Sequence, residues 1–342
     1  MDIHAVTEWF AAHKRNFPWR ERPSPYAVLV SEIMLQQTQA SRVIPFFNRW
    51  INEFPSLQIL AEAPEKSVMK AWEGLGYYSR ARALHRGAKI IVERFNGKIP
   101  DTRKELLTIS GIGPYTAGAI LAFAFRKKAA AVDANVVRVL ARCTETHKSA
   151  RMFEPIVENL LPSCKPWAAM EALIELGALT CKKKPLCEQC PLANDCLARK
   201  NGTTALFPPP NLQQKTPLWR DVAVIVTTDT VLVCHRTGKR IMSGLCEFPF
   251  FESSPSGRGE GAFLDHLNRS DLSIIGSLHP ITHSFTRYRA TLYPVLFSSL
   301  REFSWPEGRW LPMKGLKEFA FSSGHKQVME KALLLLKRNR GR

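Results

Sequence analysis

The chain has 342 residues, 45% of them hydrophobic, enough for the cores of two ordinary domains. No stretch approaches the ~20 apolar residues of a membrane span, and "MDIHAVTEWFAAHKR" carries an early acid and no long apolar run, unlike a secretory signal. Lys and Arg number 48 against 30 Asp and Glu, a net charge of +18. Residues 1–216 hold 30 basic and 19 acidic groups (+11), and residues 217–342 hold 18 and 11 (+7), so one extended polyanion can touch both halves. The expectation is a cytoplasmic, nucleic-acid-binding protein with no membrane association, in a compartment where disulfides are rare.

Taken in chain order, residues 1–200 predict successive helices. Ser24-Pro25 opens one that runs through Glu32, with serine as N-cap and proline in the first turn. "PEKSVMKAWEGLG" and "YYSRARALHRGAKIIVERFNG" keep helical periodicity and close near glycine. "DTRKELLTISGIGPYTAGAILAFAF" predicts two helices joined by a tight Gly-x-Gly turn, and Asp133 stands where it caps "ANVVRVLAR". "AAMEALIELGALTC" leads into a cysteine cluster. "NGTTALFPPPNLQQKTP", with three successive prolines, breaks the pattern and predicts a linker. Beyond it, "DVAVIVTTDTVLVCHR" predicts two strands around a polar turn, "LHPITHSFTRYRATLYPVLF" is strand-rich, and "HKQVMEKALLLLKRNR" predicts a terminal helix. The expected organisation is a helical domain over 1–200, a linker over 201–216 and a smaller α+β domain over 217–342.

Three features carry chemistry. Gly111 and Gly113 in "ISGIGPYTAGAI" leave bare backbone N–H groups at the start of a helix, where a phosphate oxygen can bind. Cys181, Cys187, Cys190 and Cys196 follow a C-x5-C-x2-C-x5-C spacing, which suits a metal in a reducing compartment. Tetrahedral zinc and a [4Fe–4S] cluster both take four cysteines, and spacing alone does not choose. Lys182, Lys183 and Lys184 sit in the first loop; on a rigid metal loop they would meet phosphate. Third, "SEIMLQQTQ" puts Glu32 among Val28, Leu29 and Leu35 on an apolar helix face. Desolvation raises the pKa of such a carboxyl and keeps it protonated. Asp133, as an N-cap, has hydrogen bonds and a helix dipole that stabilise its charge. A protonated carboxyl and a charged one form the pair used on a breaking glycosidic bond.

"FPWRERPSPYAVLVSEIMLQQTQ", "GLGYYSRARAL", "GIGPYTAGAI", "VDANVVRVLARC" and the cysteine cluster together resemble the MutY adenine DNA glycosylases of the helix-hairpin-helix superfamily, closely over residues 9–200 and loosely over 217–342. The resemblance implies a mainly α helix-hairpin-helix glycosylase domain with an iron–sulfur loop, plus a Nudix-like α+β domain that reads 8-oxoguanine. It implies a monomeric, monofunctional repair enzyme, nucleoid-associated in a bacterium. Such an enzyme excises adenine mispaired with 8-oxoguanine or guanine in double-stranded DNA after flipping the base out. Glu32 matches the acid that protonates adenine N7, and Asp133 the carboxylate that stabilises the oxocarbenium-like sugar. Tyr115 and Asn135 match their supports. Arg15, Phe17, Trp19, Leu35, Glu171 and Ile174 match the adenine pocket. Gln37, Thr38, Leu75 and Tyr77 match residues that wedge beside 8-oxoguanine, and the four cysteines match the ligands of a [4Fe–4S] cluster.

Two rivals remain. A bifunctional lyase of the endonuclease III type places a nucleophilic lysine where this chain has Tyr115, and a phenol cannot form a Schiff base. An inactive iron–sulfur DNA-binding module would not need both Glu32 and Asp133. The sequence also departs from the family. "GLCEFP", Gly244 to Pro249, has Cys246 where the family has tryptophan. In "HSFTR" the Phe-Ser-His element keeps Phe285 but has Thr286 for serine and Arg287 for histidine. The first cysteine loop is one residue shorter than the usual C-x6-C, and the Glu-rich box of a Nudix pyrophosphatase is missing.

Overall fold

The protein is described from a computed structural model covering residues 1–21, 23–209, 215–235, 244–254, 271–285 and 287–340. It divides into two compact units, Met1–Ala63 with Ser79–Leu212, and Pro64–Tyr78 with Gln213–Arg342. The boundaries read from composition leave residues 64–78 with the helical part. Spatially that segment belongs to the second unit, and nothing in its helical periodicity signals this.

The first unit is helical. Ser24 caps the helix Pro25–Leu35 by accepting from Ala27 N at 3.1 Å. That helix is buried nearly all round, with Leu29, Ile33 and Met34 each at most 1% exposed. Each large apolar side chain so withdrawn from water contributes about 1.5–3 kcal/mol. Ser79–Phe95 ends at Asn96 and Gly97, both with positive φ, as the terminal glycine predicts. Arg103–Leu106 and Pro114–Ala119 flank the Gly-x-Gly turn, and the second runs on as a π-helical turn over Ile120–Ala124. Ala134–Thr144 and Pro166–Leu179 pack together before the cysteine loop.

The second unit holds the helix Glu65–Ala71 and one mixed sheet. Its strands are β1 Thr216–Val226, β2 Thr230–His235, β3 Cys246–Glu247, β4 Phe250–Ser253, β5 Leu272–Ser277, β6 Ile281–Phe285, β7 Tyr288–Ser299 and β8 Gly308–Pro312. The two long strands β1 and β7 pair in parallel from Thr216↔Tyr288 to Val226↔Ser298, and the remaining pairings are antiparallel. Strand alternation sorts β1 onto two cores. Val222, Val224 and Val226 face Val328, Met329 and Ala332 of the terminal helix Ser323–Arg340. Ala223 and Ile225 face Leu232, Val295 and Phe297. Among the described residues no helix is long and apolar enough to cross a membrane.

Candidate active site

The first unit brings Glu32, Tyr115, Asp133 and Asn135 together. Glu32 is 5% exposed on its apolar helix. Burial pushes its carboxyl up to about 7; the Tyr115 hydroxyl, which donates to it, pulls down, while Asp133 and Glu171 push up and Arg20 pulls down. Its Oε2 is buried without a hydrogen-bond partner among the described residues. Burial, with the negative charges of Glu32 and Asp133, holds the Tyr115 phenol well above its ordinary value, so it serves as a neutral donor.

Asp133 caps Ala134–Thr144 as its position predicts. Oδ1 accepts from Asn135 N at 2.9 Å and Val136 N at 2.8 Å, and Oδ2 accepts from Asn135 Nδ2 at 2.7 Å. The expected net stabilisation of its charge is not met: burial raises its carboxyl, and the three donors offset only part of that. Two glycines allow the close approach. A Cβ at Gly118 would lie 1.9 Å from Ala130 O, and one at Gly177 would lie 2.6 Å from Asn135 Cβ. Any side chain there would push apart the elements that carry Tyr115, Asp133 and Asn135.

Phe17 and Trp19 stack at 4.8 Å and are buried, with the Arg15 and Arg20 guanidinium groups 4.9 and 4.8 Å from the Phe17 ring centroid. Glu175, 1% exposed, organises this end. It binds Arg15 Nε at 2.6 Å and Arg20 at 3.0 Å, and Arg20 also donates to Glu171 at 3.1 Å. Burial opposes the charge of Glu175, yet the two arginines hold its carboxyl below the usual range. Burial wins at Glu171, whose carboxyl is raised. Leu35 and Ile174 are half-buried. Sequence reasoning missed Arg20 and Glu175; the one signal was the spacing of Glu171 and Glu175 on one helix face.

Gln37 is exposed with φ +56°, and Thr38 is half-buried. Their turn is held by buried Arg80, another residue sequence reasoning missed, which donates to Ile33 O at 3.1 Å, Met34 O at 2.7 Å, Gln36 O and Thr38 Oγ1 at 3.0 Å. Gly111 has φ +89° and stands against Ala83, where a Cβ would come within 3.1 Å; Gly113 is extended and precedes the Pro114–Ala119 helix.

Cys181, Cys187, Cys190 and Cys196, with Cys143, line one pocket that opens to solvent. Among the described residues no three His, Cys, Asp or Glu side chains converge as a single ion requires. Four thiols around one pocket are a donor set that suits a four-cysteine metal centre. Arg142, buried, supports the loop by donating to Lys182 O at 2.6 Å, Lys183 O at 3.2 Å and Cys181 Sγ at 3.4 Å. Lys182, Lys183 and Lys184 are exposed beside it. Arg138 joins Asn135 Oδ1 at 2.8 Å to Cys181 O at 2.6 Å.

In the second unit, Leu75 is buried and Tyr77 is 41% exposed at φ +49°. Of the two, the tyrosine stands at the surface. Phe285 stacks on His283 at 5.3 Å, and Arg287 folds back on Tyr288, donating to its hydroxyl at 3.0 and 2.8 Å. Thr286 lies outside the described residues. Cys246 is 2% exposed in the sheet core.

A helical unit with a buried acid, a capping aspartate and a four-cysteine loop, followed by a Nudix-like sheet, defines a base-excision DNA glycosylase of the helix-hairpin-helix class. The family model for HhH-GPD superfamily base excision DNA repair proteins matches residues 30–163, and the NUDIX domain model matches 221–331. The adenine DNA glycosylase of Rattus norvegicus is 30% identical over 94% of this chain and 76% of its own length. That of Buchnera aphidicola from Schizaphis graminum is 27% identical over 95% and 96%. A thermostable thymine-DNA glycosylase structure is 28% identical, with a TM-score of 0.56 over 58% of this chain and 95% of that one. The chain belongs to the adenine DNA glycosylases, base-excision repair enzymes that act on DNA, in a family that usually carries an iron–sulfur cluster.

Proposed function

We propose that the enzyme hydrolyses the N-glycosidic bond of adenine paired with 8-oxoguanine or guanine, without strand cleavage. The observation that carries this reading is Glu32, buried beside the Tyr115 hydroxyl with its carboxyl raised to about 7. At neutral pH such a group can give a proton to adenine N7 and so make the base a leaving group. Asp133, held by three hydrogen bonds from Asn135 and Val136, then faces the cationic sugar and stabilises it. Arg15, Phe17, Trp19, Glu171, Leu35 and Ile174 receive the base. Water completes the hydrolysis, and Tyr115, unable to form a Schiff base, leaves the abasic strand intact.

Cys181, Cys187, Cys190 and Cys196 would hold a [4Fe–4S] cluster. When bound, the cluster would staple the loop that presents Lys182, Lys183 and Lys184 to phosphates. In the second unit Tyr77, Phe285 and Arg287 would face the base opposite adenine. Arginine can bond O8 of 8-oxoguanine but equally N7 and O6 of guanine, so the preference between the two is expected below the family norm. The protein would act as a cytoplasmic monomer.

The test is single-turnover cleavage of labelled A·8-oxoG, A·G and A·C duplexes with and without alkali. Adenine loss from the first two, with strand breaks only after alkali, supports the reading. Breaks without alkali, or equal excision from A·C, contradict it.

A further inference from the structure

The segment Phe319–Gly324 touches both elements of the second unit assigned above to the base opposite adenine. On one side stands the Gly74–Tyr77 turn, whose residues Gly74, Gly76 and Tyr77 have φ of +97°, +80° and +49°. The two glycines take this geometry without steric cost, but at Tyr77 it costs free energy and persists only when neighbours fix it. Glu73 does so: Oε1 accepts from Phe321 N at 3.1 Å, and Oε2 accepts from Lys70 and Lys326, each at 2.8 Å. Lys70 also donates to Phe319 O at 3.3 Å. The Tyr78 hydroxyl donates to Phe321 O at 3.2 Å and accepts from Gly74 N at 3.3 Å. Both backbone polar groups of Phe321 are thus engaged by the residues that flank the turn.

On the other side the segment meets β6. Ser323 Oγ lies 3.4 Å from His283 Nδ1. Gly324 seats the His283 ring so closely that a Cβ there would come within 2.5 Å of Cδ2 and Nε2. His283 in turn stacks on Phe285. The segment itself is anchored in the sheet: Cys246 N donates to Ala320 O at 2.8 Å and Ser322 N to Cys246 O at 3.3 Å, with Phe321 and Ser322 fully buried.

We propose that residues 319–324 form a rigid brace that fixes the Tyr77 turn relative to Phe285 and thereby sets the preference for 8-oxoguanine over guanine. Glu73, Lys326 and Gly324 are its positioning residues. The proposal rests on the reading that Tyr77 and Phe285 face the base opposite adenine. Such a device responds to displacement: a shift at either end weakens contacts that tell the two bases apart, while the acid and the aspartate of the first unit are untouched.

The experiment compares single-turnover excision from A·8-oxoG and A·G in full-length wild type, Gly324→Ala, Lys326→Ala and Lys326→Arg. Gly315→Ala is the control, since a Cβ at Gly315 meets nothing within 4 Å. Hydrogen exchange across residues 74–78 is followed in the same proteins. Gly324→Ala should lower the A·8-oxoG to A·G rate ratio about tenfold and Lys326→Ala about threefold, with the A·G rate held. Lys326→Arg should restore the ratio. Exchange at 74–78 should quicken in Lys326→Ala and stay unchanged in Gly315→Ala. An unchanged ratio in both Gly324→Ala and Lys326→Ala overturns the brace, as does an equal fall on both substrates. Unchanged exchange in Lys326→Ala also overturns it. A wild type with no preference between the duplexes instead defeats the reading of Tyr77 and Phe285, even where exchange responds.

Discussion

Glu32 in the helical unit and Glu73 in the second unit are both buried glutamates, 5% and 9% exposed, yet their carboxyls move in opposite directions. Around Glu32 the nearest groups are a phenol and two other carboxyls, so burial prevails and the acid rises to about 7. Burial also opposes the charge of Glu73, but Lys326, Lys70 and the Phe321 amide outweigh it and hold the carboxyl down. Desolvation alone does not set the role of a buried acid; the donors placed around it do. A carboxyl with no cation bonded to it, only the weak pull of Arg20, costs stability and gains a proton to give. A paired one fixes geometry and has none to give.

Substitutions sharpen this contrast. Glu32→Gln should slow adenine release by about 10³-fold or more while duplex binding persists; Glu73→Gln should leave excision from A·G near wild type. Rapid excision by Glu32→Gln would sink the assignment. Asp133→Asn should cost about 10²–10³-fold, because the cationic sugar loses its counter-charge in a dry site; single-turnover kinetics on the same duplexes checks it.

Stability should move in opposite senses. A carboxyl raised on folding supports the fold fully below its unfolded value near 4.5, and that support is lost as pH rises through about 7. Glu32→Gln should therefore be more stable than wild type by about 3 kcal/mol above neutrality, the gap closing in acid. For Glu73 the sign reverses. Its lowered carboxyl stabilises the fold above the ordinary glutamate range and loses that effect as pH falls below it. Both lysines are about a third exposed, which screens the pairs, so Glu73→Gln should destabilise by about 1 kcal/mol near pH 7. Urea melts at pH 5 and pH 8 distinguish the two: the Glu32→Gln gain should grow toward pH 8, while the Glu73→Gln loss should be similar at both; a Glu32→Gln shift that is equal at both pH values would contradict the comparison.

Much of the first unit was legible because its signals are local. Ser24-Pro25 announces a helix start, a carboxylate on an apolar stripe announces a raised acid, and Asp133 before "ANVV" announces a cap. The Asp133 donors follow from helix geometry, but the depth of its burial is a property of packing, and that depth reverses the net effect. Arg20, Glu175 and Arg80 escaped for the same reason: their partners lie 155, 160 or 47 residues away in sequence at the extremes, as in Arg20–Glu175, Arg15–Glu175 and Arg80–Ile33. In the second unit, alternation in "DVAVIVTTDTVLVCHR" gives two strands, yet the long parallel pairing of β1 with β7 leaves no local mark. The hydrogen bonds by which Lys70, Glu73 and Tyr78 attach residues 64–78 to that unit leave no mark in a stretch that in the sequence looks like an ordinary charged helix.

Glu32 rests near its proton-transfer midpoint before DNA arrives. The most direct test is a carboxyl ¹³C NMR titration of glutamate-labelled enzyme, with the Glu32→Gln spectrum subtracted to isolate the one resonance. The structure predicts a midpoint at about 7. A midpoint in the ordinary glutamate range, near 4.5, would show that Glu32 is ionised at neutral pH and has no proton to give.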